Sequence, residues 1–306
     1  MLGYGERAED LLSPGWWGQR TPRACVIGLG LIGGSWAGAL HISGWEVWAM
    51  DKEKESIEQA KDKGWVQAGW NSWPELPAFL DVDLVVLALP VSALADGFAQ
   101  VAGRVPKGAI VTDVGSIKME IGQKIQSHFT ENSADFYYVG GHPMTGSERS
   151  GFLTASPHLF RGYPYVVCLG PDCPSVVTEK FVALIQKIGG QIVFREPEEH
   201  DRAVAMVSHI PHLLAVALML AAQDTGDGAR SVLSLAGRSF RDMTRVADSP
   251  PEMWREILVK NSEAVLTGLG YWEQRLRALR GYIEQGDGEA IAEAFRQASL
   301  LRDEIR

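Results

Sequence analysis

The chain has 306 residues, room for about two domains at roughly 150 residues each. It is 46% hydrophobic and 22% charged, with 29 Lys and Arg against 38 Asp and Glu, a formal net charge of −9. That balance excludes bulk electrostatic binding of nucleic acid or of an anionic membrane, so an anionic ligand must be held by local cations and helix N-termini.

The opening, MLGYGERAEDLLSPGWWGQR, places charges and turn residues where a signal peptide needs an apolar core. Residues 1–22 read as a tail. Cys25, Cys168 and Cys173 lack disulfide-scaffold or zinc spacing, so a reducing cytoplasm and no metal are expected. From there short apolar runs alternate with amphipathic segments. ACVIG, WEVWAM, DLVVLAL, AIVTDV, YYVGG and YVVCL have the length and β-branched content of strands. Helical patterns over Gly34–Ile42, Lys54–Lys63, Ser92–Val101, Lys118–Phe129 and Ser175–Ile188 lie between them. This alternation predicts an α/β fold, a doubly wound parallel sheet with helices on both faces. In a 3-2-1-4-5-6 order the fourth run, AIVTDV, would lie beside the first.

After Phe194 no strand run is expected. Glu198–Ala222, Ala229–Ala236, Pro251–Thr267, Tyr271–Gln285 and Glu289–Arg306 read as helix. The boundary falls at Glu196–Pro197, giving a dinucleotide-binding domain over 23–196 and an all-helical domain over 197–306. Residues 203–222, AVAMVSHIPHLLAVALMLAA, approach the length of a membrane span, but Ser208, His209, Pro211 and His212 interrupt them. They read as a buried core or dimer helix, so a homodimer and no membrane partner are expected.

The first strand runs into Gly28-Leu29-Gly30-Leu31-Ile32-Gly33, a G-x-G-x-x-G turn opening a helix. Its glycines suit a tight turn, close approach to a pyrophosphate and close helix packing. The second strand ends on Asp51, an acid placed to accept a ribose 2′-hydroxyl and repel a 2′-phosphate. NAD is therefore the expected cofactor. Lys52 beside it is a cation that could hold the extra phosphate of NADP, and Asp51 could instead cap the next helix.

Ligands of open α/β sheets bind beyond the carboxyl ends of the strands. There lie Leu89-Pro90-Val91, Asp113-Val114-Gly115-Ser116-Ile117-Lys118 and Gly140-Gly141-His142-Pro143. A histidine beside a nicotinamide can take the proton of an alcohol as its hydride leaves, and Ser116 could hold that hydroxyl or cap a helix. In the helical domain His209 and His212 share a face, which alone reads as core packing, and Pro211 should kink the helix. Arg241 and Asp242 read as a structural pair, and Arg245 as the better carboxylate ligand.

VIGLGLIGGS, ALPV, TDVGSIK, GGHPMTGSERSG, MVSHIPHLLA, FRDMTRVADSPPEMW and the following Asn261 together resemble the prephenate/arogenate dehydrogenase family of tyrosine biosynthesis. The resemblance runs from Val26 to about Asn261. It implies a Rossmann domain joined to a helical dimerisation domain, with a cleft between them. It also implies oxidative decarboxylation of prephenate by NAD to 4-hydroxyphenylpyruvate, CO2 and NADH. Carried over, His142 would meet the ring 4-hydroxyl and Ser116 would share it. Ser208 and His212 would meet the side chain, Arg245 a carboxylate, and Ser147, Glu148 and Trp254 the cleft mouth. Gly28, Gly30, Leu31, Ile32, Gly33, Asp51 and Pro90 would line the cofactor. Where the family often carries a glycine pair, this chain has Arg238-Ser239. The neutral or cationic side-chain lining, with Glu148 its one nominated acid, predicts a preference for prephenate over arogenate. Another hydroxyacid or imine dehydrogenase would be expected to carry a lysine where His142 stands, and an inactive NAD sensor would have lost the His142, Ser116 and Arg245 set.

Overall fold

The computed structural model describes residues 20–304 except 79, 132–135, 148, 171–172 and 226–228, so most of the N-terminal tail lies outside the described residues. A single eight-stranded sheet carries the first two-thirds of the chain. Its strands are β1 (Arg23–Ile27), β2 (Glu46–Met50), β3 (Ala68–Trp70), β4 (Leu84–Leu87), β5 (Ile110–Asp113), β6 (Tyr137–Pro143), β7 (Pro164–Leu169) and β8 (Gln191–Phe194). Their order is β3-β2-β1-β4-β5-β6-β7-β8. Helices α1 (Leu31–Ile42), α2 (Lys54–Asp62), α3 (Val91–Ala102), α4 (Met119–Glu131) and α5 (Ser175–Lys187) connect them.

The central strands are buried on both faces, as in Leu84–Leu87, because helices cover the sheet on each side. One face packs around Trp36, whose ring centroid lies 5.6 Å from that of Phe160 and 6.0 Å from that of Tyr165. The other packs around Leu94, Phe98, Ile125 and Tyr138.

Three expectations about the sheet are corrected. The run beside β1 is β4, with Ala24 opposite Leu84, and AIVTDV lies one strand further out. The third place of the order belongs to β3, whose three residues are too short to show alternation. The sheet is not wholly parallel: β7 runs antiparallel to β6, with His142 opposite Val166. Among its described residues their connection holds the 3-10 turn Phe152–Thr154 and not the helix that a parallel crossover needs. QIVF adds β8, parallel to β7, at the edge.

The remaining chain is helical: α6 (Pro197–Val204), a π turn (Ala205–His209), α7 (Ile210–Gln223), α8 (Ala229–Leu233), α9 (Arg238–Thr244), a 3-10 turn (Arg245–Asp248), α10 (Pro251–Lys260), α11 (Ser262–Gln285) and α12 (Gly288–Asp303). The expected helix over Glu198–Ala222 therefore contains a π turn directly before Pro211, whose missing N–H disturbs the α-helical ladder there. Asn261 breaks the expected Pro251–Thr267 helix, and a single helix then runs from Ser262 through Gln285. The continuous helix Pro197–Gln223 is long and apolar enough to cross a bilayer, yet only 28% of its most apolar stretch is buried within the chain. Met206, Val207, Val216 and Leu220 are exposed, so the buried-core reading of this helix fails within one chain.

Candidate active site

The carboxyl ends of β1, β2 and β4 build a loop shaped for a dinucleotide. Gly28 closes β1 at φ +94°, and a Cβ there would lie 2.3 Å from the Ala88 carbonyl oxygen. At Gly33 it would lie 1.8 Å from the Gly28 oxygen, so only glycine permits this approach of α1 to β1. Gly30 caps α1 with no side-chain hydrogen bond and with open space where a side chain would stand. Leu31 and Ile32 begin the helix, and no acid in its first turn competes for the positive end of the dipole. The Asp51 carboxylate accepts the N–H of Leu29 and, at 2.8 Å, that of Glu53. It therefore joins the glycine loop to the end of β2 while leading into α2. Pro90 is the exposed cap of α3 beyond β4. These donors, the open cap and the acid fit a pyrophosphate and ribose.

His142 stands half-buried at the carboxyl end of β6. Its Nδ1 lies 2.8 Å from Nε2 of His200, the fourth residue of α6. His200 Nδ1 lies 2.7 Å from Oδ1 of Asp201. Asp201 reaches across the domain junction: Oδ1 accepts the Lys118 N–H at 2.8 Å, and Oδ2 accepts the Met119 N–H at 2.9 Å. Ser116 lies in the loop between β5 and α4, half-buried. The first N–H groups of α4 are met by Asp201 of the helical region, so the helix-cap alternative for Ser116 is overturned there. Burial, reinforced by His200, Lys118 and His209, holds the His142 pKa well below the ordinary histidine value. The ring is neutral at neutral pH and able to accept a proton.

Beneath this group Lys118, Asp113 and Tyr138 form a buried set. The Lys118 ammonium and the Tyr138 hydroxyl both donate to Asp113, which also accepts the Gly115 N–H at 2.7 Å. The lysine charge is thus matched by a carboxylate, as a buried ion requires.

A second group gathers around the π turn. His212 donates through Nδ1 to the Ser208 carbonyl at 2.8 Å, because a carbonyl only accepts. That leaves the neutral ring with its lone pair on Nε2. Trp254 of α10 stacks on His212 with centroids 3.7 Å apart and 25° between planes, within the same chain. His209 meets the edge of Trp254 at 5.9 Å, and its Nδ1 lies 3.2 Å from the Asn261 amide. The same amide donates to the Asp201 carbonyl at 2.8 Å, so the two groups are continuous. Among the described residues, the buried Trp254 Nε1 and His209 Nε2 find no protein partner. Arg245 opens the 3-10 turn, exposed, and its charge helps lower the pKa of His212, after the larger effect of burial.

Ser147 is exposed, its hydroxyl accepting the Arg149 N–H at 2.8 Å. Glu148 lies outside the described residues. The expected Arg241–Asp242 pair is replaced: Asp242 pairs with Arg238 at 3.4 Å, one helical turn away, and Arg241 donates to the Ala236 carbonyl. Arg238 is solvent-exposed. The domains are further joined where Glu256 accepts both the N–H and the hydroxyl of Ser92, and where Lys260 meets Glu120. A cavity of about 500 Å³ lined by Arg20, Asp83, Lys107 and Lys180 sits at the opposite, amino-terminal edge of the sheet. Ligands of such sheets bind at the carboxyl edge, so the histidine cluster and not this cavity is the site.

His200, Asp201 and Asn261 take part in the site, and sequence reasoning assigned none of them a role. Known proteins show which family the chain resembles. The family description "Prephenate dehydrogenase, nucleotide-binding domain" matches residues 36–194, and "Prephenate dehydrogenase, dimerization domain" matches residues 196–297. A prephenate dehydrogenase of Bacillus subtilis is 31% identical, over 91% of this chain and 74% of that one. A cyclohexadienyl dehydrogenase of Zymomonas mobilis is 29% identical over 90% of this chain and 94% of its own. Among solved structures, prephenate dehydrogenase from A. aeolicus in complex with hydroxyphenyl propionate and NAD+ superposes with a TM-score of 0.84. It is 28% identical, covering 94% of this chain and 99% of that one.

Proposed function

The chain belongs to the prephenate dehydrogenase family of NAD-dependent oxidoreductases, and on that premise we propose that it oxidatively decarboxylates prephenate to 4-hydroxyphenylpyruvate at the junction of its two domains. The observation that carries this reading is a neutral histidine, His142, at a strand end of the nucleotide domain, facing a helix that brings further histidines. Bound NAD supplies the hydride acceptor. Gly28, Gly30, Gly33, the first turn of α1 at Leu31 and Ile32, Asp51 and Pro90 hold it.

His142 accepts the proton of the 4-hydroxyl as the hydride departs from the carbon bearing it. The ring carboxylate then leaves as CO2, its bonding electrons complete the aromatic ring, and the oxygen takes its proton back from His142. No net proton is released, so the base ends each turnover neutral and ready. Ser116 orients the hydroxyl. Arg245 binds a carboxylate, His212 and Ser208 meet the side chain, and Ser147, Glu148 and Trp254 border the cleft. A positioned base of this kind contributes about 10²–10⁴-fold to rate.

Residues 23–196 form the nucleotide domain and 197–306 the helical domain in this proposal. Two copies pair through the helical domain, covering the exposed Met206, Val207, Val216 and Leu220. The three cysteines are free thiols, in keeping with a reducing cytoplasm. Absorbance of NADH formed from purified prephenate, with arogenate in parallel, tests the proposal. Higher kcat/KM with prephenate is expected. Higher kcat/KM with arogenate overturns the substrate assignment, and no NADH from either overturns the activity.

A further inference from the structure

His200 and Asp201 are buried ionisable neighbours that reach no substrate in the proposed chemistry, yet His200 meets His142 and Asp201 meets His200. Their hydrogen bonds have only one consistent direction. Two backbone N–H groups, of Lys118 and Met119, donate to the Asp201 carboxylate, which fixes it as an acceptor. His200 must then donate to it through Nδ1. A neutral His200 ring has its lone pair on Nε2, and that atom faces His142 Nδ1 at 2.8 Å. His142 must therefore donate from Nδ1 and carry its own lone pair on Nε2. The opposite tautomer of His142 would set two lone pairs against each other in a buried contact.

We propose that His200 and Asp201 are positioning residues that hold His142 in the Nδ1-protonated tautomer and share the positive charge when its Nε2 takes the substrate proton. The inference rests on the reading of His142 as the base. As the proton arrives on Nε2, the Nδ1–H bond to His200 strengthens, and the charge spreads toward Asp201 through His200. The other charged or titratable groups facing this line do not serve the purpose. Lys118 and His209 disfavour a cation at His142. Asp113 is committed to Lys118 and Tyr138. Burial pushes the Cys168 thiol up to about 12, so it stays neutral. Asp201 is the carboxylate left to balance an imidazolium. Both relay residues come from α6, so the base is oriented only when the helical domain is seated on α4.

The test uses the full-length protein saturated with NAD. In protein labelled with 15N-histidine, the His142 ring is assigned by its absence in H142N, and it should carry its proton on Nδ1. An Nε2-protonated His142 in the native protein overturns the relay, whatever any His200 variant does. H200F keeps a ring of similar size without nitrogens. It should lower kcat about 10²-fold while KM for prephenate and Kd for NAD stay within about threefold. The acid limb of its kcat profile should move to lower pH, because the imidazolium has lost its acceptor. H200Q keeps an oxygen able to accept from His142 and should recover about tenfold of the loss. A folded H200F with unchanged kcat, or with a lower kcat but an unmoved acid limb, overturns the relay. If H200F does not fold, H200Q and the native tautomer decide: equal activity of H200Q and native protein also overturns it. Near-normal turnover in H142N is a separate outcome that removes the base assignment itself.

Discussion

His209 makes acid stability a quantitative test of the domain junction. Its side chain is 1% exposed, and burial lowers its pKa from 6.5 to about 4. Between those values the unfolded chain binds a proton that the folded chain refuses. Stability is thus complete above the unfolded pKa and falls as pH drops from 6.5 toward 4. The full difference corresponds to about 3 kcal/mol, of which about 2 kcal/mol is lost between pH 7 and pH 5. His209→Asn is the informative change. Its amide oxygen can replace Nδ1 as acceptor for the Asn261 amide, and it cannot titrate. Urea unfolding at pH 7 and pH 5, at one fixed protein concentration, gives the comparison. The variant should be less stable at pH 7, because the smaller side chain leaves a cavity. Its loss on going to pH 5 should nevertheless be about 2 kcal/mol smaller than that of the native protein. His142, His200 and His212 are also held below their ordinary pKa, chiefly by burial, but they titrate in both proteins and cancel. Equal losses in the two proteins would refute the reasoning, since His209 would then not resist protonation when folded.

His142→Asn should lower turnover about 10²–10⁴-fold with little change in NAD affinity measured by fluorescence titration. In the native enzyme kcat/KM should fall with acid along a limb lying below the ordinary histidine range, because the active form is neutral and its pKa is depressed. Asp51→Ala removes a charged acceptor of the Leu29 and Glu53 N–H groups, so NAD binding should weaken about 10–100-fold and the preference over NADP should shrink. An unchanged ratio of the two affinities leaves Asp51 a purely structural acid. Arg245→Ala should raise KM for prephenate by the equivalent of about 2–5 kcal/mol, and a normal KM would take that arginine out of the substrate site.

The glycine loop and the strand ends were legible because each rests on local chemistry: three glycines at fixed spacing, an acid at the end of β2, a histidine after Gly140-Gly141. The apolar runs that became β1, β2, β4, β5, β6 and β7 were equally plain, whereas the four residues of β8 at the sheet edge were not. The three residues of β3 carry no periodicity, and their place at the sheet edge is fixed by pairing with β2, a contact between segments. The reversed direction of β7 likewise follows from a connection without a helix. His200 and Asp201 were hidden by their setting. PEEHDRAV has the polarity of a solvated first turn, and only docking against α4 buries its fourth and fifth residues. A histidine next to an aspartate just past a domain boundary was the one signal available. The stack of Trp254 on His212 joins residues far apart in sequence, and neither neighbourhood announces the other.

The π turn at Ala205–His209 sets the angular phase of the whole histidine helix. His200 and His212 are twelve residues apart. In an unbroken α-helix they would point about 120° away from each other at about 100° per residue. A single π turn absorbs one extra residue, which cuts that offset to about 20° and turns both histidines toward the same cleft. The phase of the helix therefore depends on the residue count and the π turn together. Replacing Val207 by another apolar residue leaves the phase intact. Deleting it leaves the two histidines eleven residues apart, and an unbroken α-helix then keeps the offset at about 20°, whereas closing the turn into α-helix with no residue lost swings everything beyond it by about 100°, parting His212 from Trp254 while His200 still faces His142. A one-residue deletion in this short stretch should thus disturb the site less than a change that straightens the turn at full length, and only Ala205 and His209 within it are buried.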